Sequence, residues 1–238
     1  MIAPAGARRL LPPWWDYQWF PLRSLARALD DAARERLPAL RDGVVVDLGC
    51  GDSPYESLLT THGAASYVRC DLGDAADITI IPGQAIDLPT AWADLVVSFQ
   101  VLEHVWDLDW YLGEARRVLK PTGQLLLSTH GSWLFHPHPE DFRRWTRTGL
   151  ARELMTRGFE VEFCQGLIGP LAWTTQFRLL GMREVFRRVP LIGAAVVPPI
   201  ACFMNLWMSF EDALTPAAIT ADNACIYLTI SRPRPAGG

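Results

Sequence analysis

The feature that most constrains the fold is a short apolar segment that runs into a glycine-rich turn, Val44–Tyr55. Its three consecutive valines predict a strand buried on both faces, as in a parallel sheet. Asp47 follows, and then Gly49 and Gly51, which allow a sharp turn and a close approach of a ligand to the backbone. Pro54 suits the first turn of a helix. A strand, a glycine turn and a helix N-terminus together predict a cradle for a nucleotide-type ligand.

A second acidic residue ends the next predicted strand along the chain. Asp71 closes the segment Ser66–Asp71. It lies about twenty residues after the glycine turn, where nucleotide-binding folds hold the hydroxyl groups of a ribose. Asp71 could instead cap a helix or lie in a solvated turn. Two acid-terminated strands at this spacing favour the ribose interpretation.

Short predicted strands alternate with predicted helices along most of the chain. Further strands are expected at Asp94–Phe99, Gln124–Thr129, Phe159–Cys164 and Asp222–Ile230, and Asp77–Ile81 could be another strand or the approach to one. Helices are expected at Leu22–Leu40, 54–61, Val101–Leu119 and Thr148–Arg157. This alternation, with short loops, predicts an α/β fold with a doubly wound parallel sheet.

Two segments break the alternation. Residues 10–21 are rich in aromatic residues and proline, and they could form a packed clasp, a lid over a pocket or a membrane-interface anchor. Gly166–Thr220 contains an uncharged run, Val189–Phe210, long enough to cross a bilayer, but Pro198 and Pro199 are expected to split it. A helical cap over the substrate site, a membrane-associating patch and a true span are the three interpretations.

Composition excludes some classes of function. A chain of 238 residues, half of them apolar, can bury a sizeable core, and its net charge of −4 argues against a nucleic-acid-binding protein. Five cysteines lie far apart with no CxxC pair, so they indicate neither a zinc site nor a disulfide framework. No long apolar stretch follows Arg8 and Arg9, so we expect no signal peptide. The expected location is the cytoplasm, with contact at the inner face of the membrane through 189–210 left open.

Several motifs in a fixed order make the sequence resemble one family. They are Val-Val-Asp-Leu-Gly-Cys-Gly at 45–51, the acid at Asp71, Gly-Gln-Ala-Ile-Asp-Leu-Pro at 83–89, Ala-Asp-Leu-Val-Val-Ser at 93–98, Val-Leu-Glu-His-Val at 101–105 and Glu-Ala-Arg-Arg-Val-Leu-Lys-Pro at 114–121. Their order and spacing resemble the class I S-adenosylmethionine-dependent methyltransferases, in particular the methyltransferase type 11 group. The stretch His136–Leu150 is similar to a subgroup signature.

The resemblance runs from Val44 to Cys164 and includes the last strand, which is similar to the closing antiparallel strand of the family. It implies a Rossmann-like, mostly parallel sheet with a helical elaboration before that strand. The implied parts are an aromatic N-terminal segment and helix at 1–43, a methyltransferase core at 44–165 and 221–232, and an apolar helical cap or membrane-associating insertion at 166–220.

The resemblance also implies S-adenosyl-L-methionine as the cofactor. The residues it assigns to that cofactor are Asp47, Gly49, Cys50, Gly51, Asp71, Leu72, Gln84, Ala85, Phe99 and Gln100. Asp47, Gly49, Cys50 and Gly51 would hold the amino-acid end of the cofactor, and Asp71 would hold the ribose hydroxyls. Leu72, Gln84 and Ala85 would contact the adenine, and Phe99 and Gln100 would flank the sulfonium. Three positions depart from the family pattern. Ser53 replaces the third glycine of GxGxG, so the turn could differ there, and Gln84 replaces an acid but can still accept a hydrogen bond. Thr122 replaces the second glycine before the fifth strand, which is a minor structural change.

Three histidines are the candidate catalytic residues, because acceptors in such sheets lie beyond the carboxyl ends of the strands. His104 follows one predicted strand, His130 ends the next, and His136 lies in the loop beyond. Each could be a general base, although His104 could instead be a packed residue at a helix start. These three and His138, near Glu140 and Asp141, could also bind a metal. His136 and His138 form an HxH pair that a loop holds only loosely, however, so no metal site is expected.

Three arginines follow in the same region. Arg143, Arg144 and Arg147 could grip an acidic acceptor such as a phosphate. We expect them instead on a solvated face, with Trp145 packed inward.

The predicted function is S-adenosylmethionine-dependent methyl transfer to a small-molecule, lipid-linked or glycan-linked acceptor aligned at the carboxyl ends of the strands. An NAD-type oxidoreductase on a similar sheet is one alternative, for which the glycine missing at Ser53 would be needed. A non-catalytic protein with a residual cofactor site is the other, and the intact Asp47, Gly49, Gly51 and Asp71 argue against it. No nucleic-acid partner is expected.

Overall fold

The computed structural model describes residues 9–188 and 190–235. Parts of the predictions made for Arg8, for Val189 in the uncharged run and for the last residues of the proline- and glycine-rich tail lie outside the described residues. The strands are β1 (Val44–Leu48), β2 (Ser66–Asp71), β3 (Ile78–Thr79), β4 (Ala93–Phe99), β5 (Leu119–His130), β6 (Phe159–Leu167) and β7 (Ile226–Pro233). The helices are α1 (Trp19–Glu35), α2 (Glu56–Thr61), α3 (Leu108–Val118), α4 (Arg147–Thr156), α5 (Pro170–Phe186), α6 (Pro190–Leu214) and α7 (Ala217–Asp222), with single 3₁₀ turns at Pro38–Leu40 and Leu102–His104.

The strands form one seven-stranded sheet in the order β3-β2-β1-β4-β5-β7-β6. Strands β1 to β5 are parallel, and β7 is antiparallel to both β5 and β6. The predicted Rossmann-like fold class with a closing antiparallel strand is therefore confirmed. The strand order reverses between β1 and β4, and in open α/β sheets a ligand binds outside the carboxyl ends at this point.

The core occupies both faces of the sheet, because successive strand residues point to opposite sides. Val45 packs with α1, α5 and α6 on one face, whereas Val46 packs with α3 and α4 on the other, and both valines are fully buried. Full burial of such a side chain stabilises the fold by about 1.5–3 kcal/mol. Burial on both faces fixes the strands and hence the positions of the residues that follow them.

Several predicted boundaries are corrected. α1 begins at Trp19, inside the segment expected to be irregular, and α2 begins at Glu56, so Pro54 lies in the turn before it. The helix expected at Val101–Leu119 is divided, because the Asp107 carboxylate accepts a hydrogen bond from the Trp110 N–H (3.0 Å) and starts α3 there. β5 begins at Leu119 rather than at Gln124, since Leu119 pairs with Ala93 of β4.

The uncharged run is not split as expected. α6 continues through Pro198 and Pro199, although each proline removes a helical N–H and crowds the preceding turn. Packing compensates, since Ala201, Met204 and Met208 of the same helix are buried in the core. Within the described residues, no helix combines the length and apolarity that crossing a membrane requires.

Hydrogen bonds attach the aromatic N-terminal segment to α5 and α6, the two long helices of the 166–220 insertion. Asn205 of α6 donates hydrogen bonds from Nδ2 to the backbone oxygens of Trp14 and Asp16 (both 2.9 Å). Gln176 of α5 donates from Nε2 to the oxygen of Tyr17 (2.9 Å). These bonds satisfy backbone oxygens of residues that precede α1 and so have no helical partner. They also fix the position of the N-terminal segment on the domain.

Candidate active site

A cavity of about 1230 Å³ opens at the carboxyl ends of the central strands. Its wall includes the glycine turn after β1, Asp71 at the end of β2, Phe99 at the end of β4 and His130 at the end of β5. The N-terminal segment contributes Tyr17 and the start of α1. The fold therefore gathers most of the predicted site residues around one space at the point where the strand order reverses.

The glycine turn has the backbone geometry that the sequence predicts. The N–H groups of Gly49 and Cys50 donate to the oxygen of Cys70 (2.8 and 3.1 Å) and tie the turn to β2. Gly49 has φ 79°, and a Cβ there would lie 2.6 Å from the Val101 side chain. Gly51 has φ 55° with no atom within 4 Å of its Cβ position, so the backbone faces open space. Ser53 keeps a left-handed φ of 49°, the conformation that the usual third glycine would permit.

Two carboxylates lie beside this turn. Asp71 accepts hydrogen bonds from the N–H groups of Gly51 and Leu72 (both 2.6 Å), which fix its side chain at the mouth of the turn. Asp47 is buried and accepts from the Tyr67 hydroxyl (2.6 Å). Burial raises the pKa of Asp47 to about 7, although the hydrogen bond from Tyr67 opposes the shift.

This arrangement fits the implied cofactor. The open space beside Gly51 lets the amino-acid end approach the backbone of the turn closely, and Asp47 supplies a carboxyl group for its ammonium. Asp71 can accept from vicinal hydroxyls, as the second acid-ended strand predicts. Leu72 lines the cavity and is half exposed. Its apolar side chain is therefore accessible to the planar adenine ring.

Phe99 and Gln100 form the centre of the cavity wall. The Phe99 ring meets Tyr55 edge to face at 5.1 Å. Gln100 has φ 58°, unusual for a residue other than glycine, and donates from Nε2 to Ser128 Oγ (3.0 Å). Its Oε1 is buried without a hydrogen-bond partner. Strain and an unpaired acceptor at one residue are typical of functional sites.

Two of the predicted adenine contacts do not line the cavity. Gly83 lines it, whereas Gln84 and Ala85 are not part of its wall. The backbone oxygen of Gln84 accepts a hydrogen bond from the indole N–H of Trp110 (2.7 Å), which attaches this loop to α3. Their roles at the adenine stay predictions.

The three candidate histidines form one cluster on the other side of the cavity. His136 lies 4.9 Å from His104 and 5.0 Å from His130, measured between ring centroids, and His130 stacks on Trp133 at 4.7 Å. All three line the cavity. Burial lowers the pKa of each below 6.5, most strongly for the fully buried His130, so the rings are neutral at pH 7.

Backbone carbonyls fix which ring nitrogen carries the proton in two of these residues. His104 Nδ1 lies 2.6 Å from the oxygen of Glu140, and His136 Nδ1 lies 3.1 Å from the oxygen of Leu134. A carbonyl oxygen can only accept, so these contacts make Nδ1 the donor in each neutral ring and leave Nε2 its lone pair. For His136 the carbonyl is the nearer partner, since Arg144 Nη2, which can only donate, lies 3.4 Å from the same Nδ1. Both rings therefore offer a bare Nε2.

An ion pair holds the histidine loop. Arg144 donates to both carboxylate oxygens of Asp141 and to the backbone oxygens of Trp133 and Leu134, and this pairing holds the pKa of Asp141 well below its usual range. Arg143 donates to the backbone oxygens of Val105 and Trp106. The expectation of a solvated face is therefore wrong for these two arginines.

The two remaining residues of this arginine region have different surroundings. Trp145 is packed inward as predicted. Arg147 lies at the surface, 3.3 Å from Asp222.

Sequence reasoning missed one residue of the cluster, Glu103. It is completely buried, and its Oε2 accepts a hydrogen bond from Thr129 Oγ1 (2.8 Å). Burial raises the pKa of its carboxyl group to about 7. The signal was present in Leu-Glu-His at 102–104, where an acid precedes a candidate histidine. The side chains of consecutive residues usually point in different directions, so the sequence alone gave no reason to place Glu103 in the same site as the histidines.

Comparisons with known proteins agree with this geometry. Residues 17–162, more than half of the chain, match the methyltransferase domain family. A probable S-adenosylmethionine-dependent methyltransferase of Mycolicibacterium smegmatis is 32% identical over 147 residues, covering 52% of this chain and 54% of that protein. The ubiquinone biosynthesis O-methyltransferase of Rhodopseudomonas palustris is 29% identical over 149 residues, covering 51% of this chain and 58% of that protein. The chain thus spans little more than half the length of these relatives.

A solved structure shows the same fold. Mycolic acid cyclopropane synthase CmaA1, complexed with SAH and CTAB, matches with a TM-score of 0.55 over 95% of this chain and 93% of that chain, at 15% identity. The family match includes both acid-ended strands and the glycine turn between them. With the fold, the turn and the family match in agreement, this chain belongs to the methyltransferase domain family, in the class I that uses S-adenosylmethionine.

Proposed function

We propose that this chain transfers a methyl group from S-adenosylmethionine to a lipid-linked acceptor that is bound beside the histidine cluster. The observation that carries the proposal is one cavity lined both by the acid-ended strands and by three neutral histidines. The cofactor supplies an already activated methyl group on a sulfonium, so the protein has to align the acceptor, exclude water and accept a proton.

Each task has candidate residues. Asp47, Gly51 and Asp71 hold the cofactor, and Phe99 with Gln100 separates it from the acceptor side of the cavity. Tyr17 and the start of α1 cover the cavity from the N-terminal side and reduce access of water.

A histidine takes the proton that an acceptor hydroxyl or amine must lose. His104 suits this role best, because its Nδ1–H is held by Glu140 and its Nε2 is free to accept. His130 and His136 are the other candidates, and the deeper burial of His130 gives it a supporting part.

An exposed apolar surface motivates the lipid-linked acceptor. Its members are large apolar side chains of α6 and of the N-terminal segment, namely Trp14, Trp15, Phe203, Leu206, Trp207 and Phe210. We call this group the aromatic surface. Asn205 joins its two parts by hydrogen bonds, and Tyr17, two residues after Trp15, lines the cavity.

This continuity would let an acceptor embedded in a lipid surface reach the cavity without crossing water. Two comparisons support a lipophilic acceptor. One relative is named for ubiquinone biosynthesis, and the similar solved structure is a mycolic acid cyclopropane synthase complexed with CTAB. Small-molecule and glycan-linked acceptors are the competing outcomes of the experiments below.

Calorimetric titration with S-adenosylmethionine and S-adenosylhomocysteine tests the cofactor half. Asp71→Ala should weaken binding by at least about tenfold, the equivalent of one lost charge-assisted hydrogen bond. Asp74→Ala, a change at an exposed position of the same loop, is the matched control and should leave binding unchanged. Undetectable binding by the natural chain, or equal binding by Asp71→Ala, would contradict the assignment.

Incubation with methyl-labelled cofactor and cell extract tests the acceptor. The label should appear in the organic phase after lipid extraction. Flotation with liposomes should carry the natural chain but not the double variant Phe203→Ser with Trp207→Ser, whereas Met155→Ser on α4 serves as an exposed apolar control. Label confined to the aqueous phase would refute a lipid-linked acceptor and favour the other two classes.

A further inference from the structure

Glu103, His130 and His136 meet at the inner end of the acceptor side of the cavity. Each offers one ligand atom, and these atoms lie within 4.8 Å of one another. Glu103 comes from the 3₁₀ turn after β4, His130 from the end of β5 and His136 from the loop beyond. Three elements of the parallel sheet's ligand-binding edge thus contribute one donor each.

Two atoms of this cluster are buried without a hydrogen bond. Glu103 Oε1 lies 3.4 Å from His130 Nε2 without the alignment of a hydrogen bond, and His130 Nδ1 has no partner. The side chain of Glu103 is wholly inaccessible, and that of His130 is only 7% exposed. A buried polar atom left unpaired is costly, and an ion bound by Glu103 Oε1 and one nitrogen of His130 would satisfy an oxygen that has no hydrogen bond.

The surroundings hold two side chains of the cluster, His136 and Glu103, in the orientation that metal ligands need. A histidine that binds a metal through one nitrogen usually donates its other N–H to a carbonyl or carboxylate. His136 does so toward the oxygen of Leu134, and Asp141 Oδ2 lies 3.5 Å from the same Nδ1. The Thr129 hydroxyl plays the corresponding part for Glu103, because it occupies Oε2 and leaves Oε1 free.

We propose that Glu103, His130 and His136 form a binding site for one divalent transition-metal ion of the zinc type. Two imidazoles and one carboxylate are a donor set that zinc and its first-row neighbours bind with further positions left open. Magnesium, which requires oxygen ligands, does not fit this set. Ligand atoms of a tetrahedral zinc site lie about 3.3 Å apart, so closure requires side-chain shifts on the order of 1 Å. His136 can supply that movement from its loop.

The open position faces the cavity, since His130 and His136 line it. Taken with the proposed function, on which this step rests, the ion would attract an acceptor oxygen and make its proton easier to lose. His104 Nε2 would then receive that proton, and the acceptor would be a hydroxyl or phenol rather than an amine or carbon. This division of roles gives each of the three histidines that line the cavity a task.

The test is a metal titration of the full chain after chelator treatment. Zn²⁺ should bind by calorimetry with one ion per chain, Co²⁺ should give the visible absorption of a four- or five-coordinate site, and Mg²⁺ should give neither signal. His136→Ala should weaken Zn²⁺ binding by at least about 100-fold, since even loss of an outer-sphere partner costs 10–100-fold. His138→Ala, at an exposed position two residues along the same loop, is the matched control and should bind normally.

Absence of stoichiometric binding by the natural chain, or equal weakening by His138→Ala and His136→Ala, overturns the site. Glu103→Gln should also lose binding, and its circular dichroism must match that of the natural chain for this loss to count. If that variant does not fold, His136→Ala decides the matter, because His136 lies in a partly exposed loop. Titration of the same samples with S-adenosylhomocysteine separates the two proposals, since cofactor binding does not need the metal.

Discussion

The cofactor side of the cavity is built mainly from backbone, whereas the acceptor side is built from side chains that distant segments bring together. On the first side, consecutive residues from Asp47 to Ser53 form a turn with three left-handed conformations, tied to β2 by hydrogen bonds. On the second side, Glu103, His130 and His136 come from separate elements, and Arg144 holds the loop that carries His136. A backbone cradle recognises what every family member shares, while a side-chain cluster can change with the acceptor.

The largest effect is expected from breaking the backbone side at Gly49. Gly49→Ala forces a side chain into a left-handed conformation and 2.6 Å from Val101, which together should cost about 3 kcal/mol of unfolding free energy. Chemical denaturation measures this loss. Gly73→Ala, at an open position with an ordinary φ, should cost less than about 0.5 kcal/mol. Equal stability of the two variants would show that the turn tolerates other conformations.

Loosening the acceptor side should reduce methyl transfer and leave the cofactor side intact. Arg144→Met removes the partner of Asp141 and the support of the histidine loop, so turnover should fall by about 100-fold, as happens when catalytic groups are misplaced by about 1 Å. Affinity for S-adenosylhomocysteine should stay within about twofold of that of the natural chain. Arg147→Met, which breaks the exposed pair with Asp222 at a distance from the histidine loop, is the control. A parallel loss of cofactor affinity would contradict the separation of the two sides.

The pH dependence of cofactor binding should report on Asp47. Burial raises the pKa of this carboxyl group to about 7, and only its ionised form attracts the ammonium of the cofactor. Affinity should therefore fall by up to about tenfold for each pH unit below 7. Asp47→Asn should bind weakly with no such dependence. A pH-independent affinity of the natural chain would remove Asp47 from the site.

As pH rises toward 7, cofactor affinity should increase, whereas the unfolding free energy of the protein without cofactor should decrease. Between about pH 4 and pH 7 the folded state keeps the Asp47 proton that the unfolded state has lost, so this group lowers the unfolding free energy as pH rises through that window. Denaturation at several pH values, compared with Asp47→Asn, isolates the contribution. If Asp47 instead made the unfolding free energy increase with pH in the same window, the pKa of Asp47 in the folded state would be lowered rather than raised.

The smallest effect is expected at Ser53. Ser53→Gly relieves a left-handed conformation and should raise the unfolding free energy by about 1 kcal/mol. Ser57→Gly, an exposed position within α2, should lower it by a similar amount, because glycine weakens helices. Destabilisation by Ser53→Gly would indicate that the serine side chain has a role of its own.

The sequence predicted the cofactor side well because that side is local. The three valines, the acid and the glycines act within one turn, and Asp71 follows at a fixed spacing. Ser53, where the pattern departs, itself has a left-handed φ of 49°, which a glycine there would permit. Gln84 and Ala85 were harder to place, because a loop without regular structure connects them to the sheet, and the Trp110 indole attaches it to α3.

The acceptor side could be predicted only in part. The histidines were expected near the strand ends, but the HxH spacing drew attention to His136 with His138, whereas His136 meets His130 and Glu103. Pairing across elements depends on strand register, which spacing along the chain does not reveal. Arg143 and Arg144 were misjudged for a related reason, since both donate to loop carbonyls that carry no sequence signal.

The most direct test of the account is a crystal structure of the full chain with S-adenosylhomocysteine. We predict ribose hydroxyls within hydrogen-bond distance of the Asp71 carboxylate, the amino-acid end against Gly49 to Gly51, and the sulfur facing the histidine cluster across Phe99 and Gln100. A ligand bound elsewhere, or an Asp71 side chain turned away from the sugar, would contradict the account.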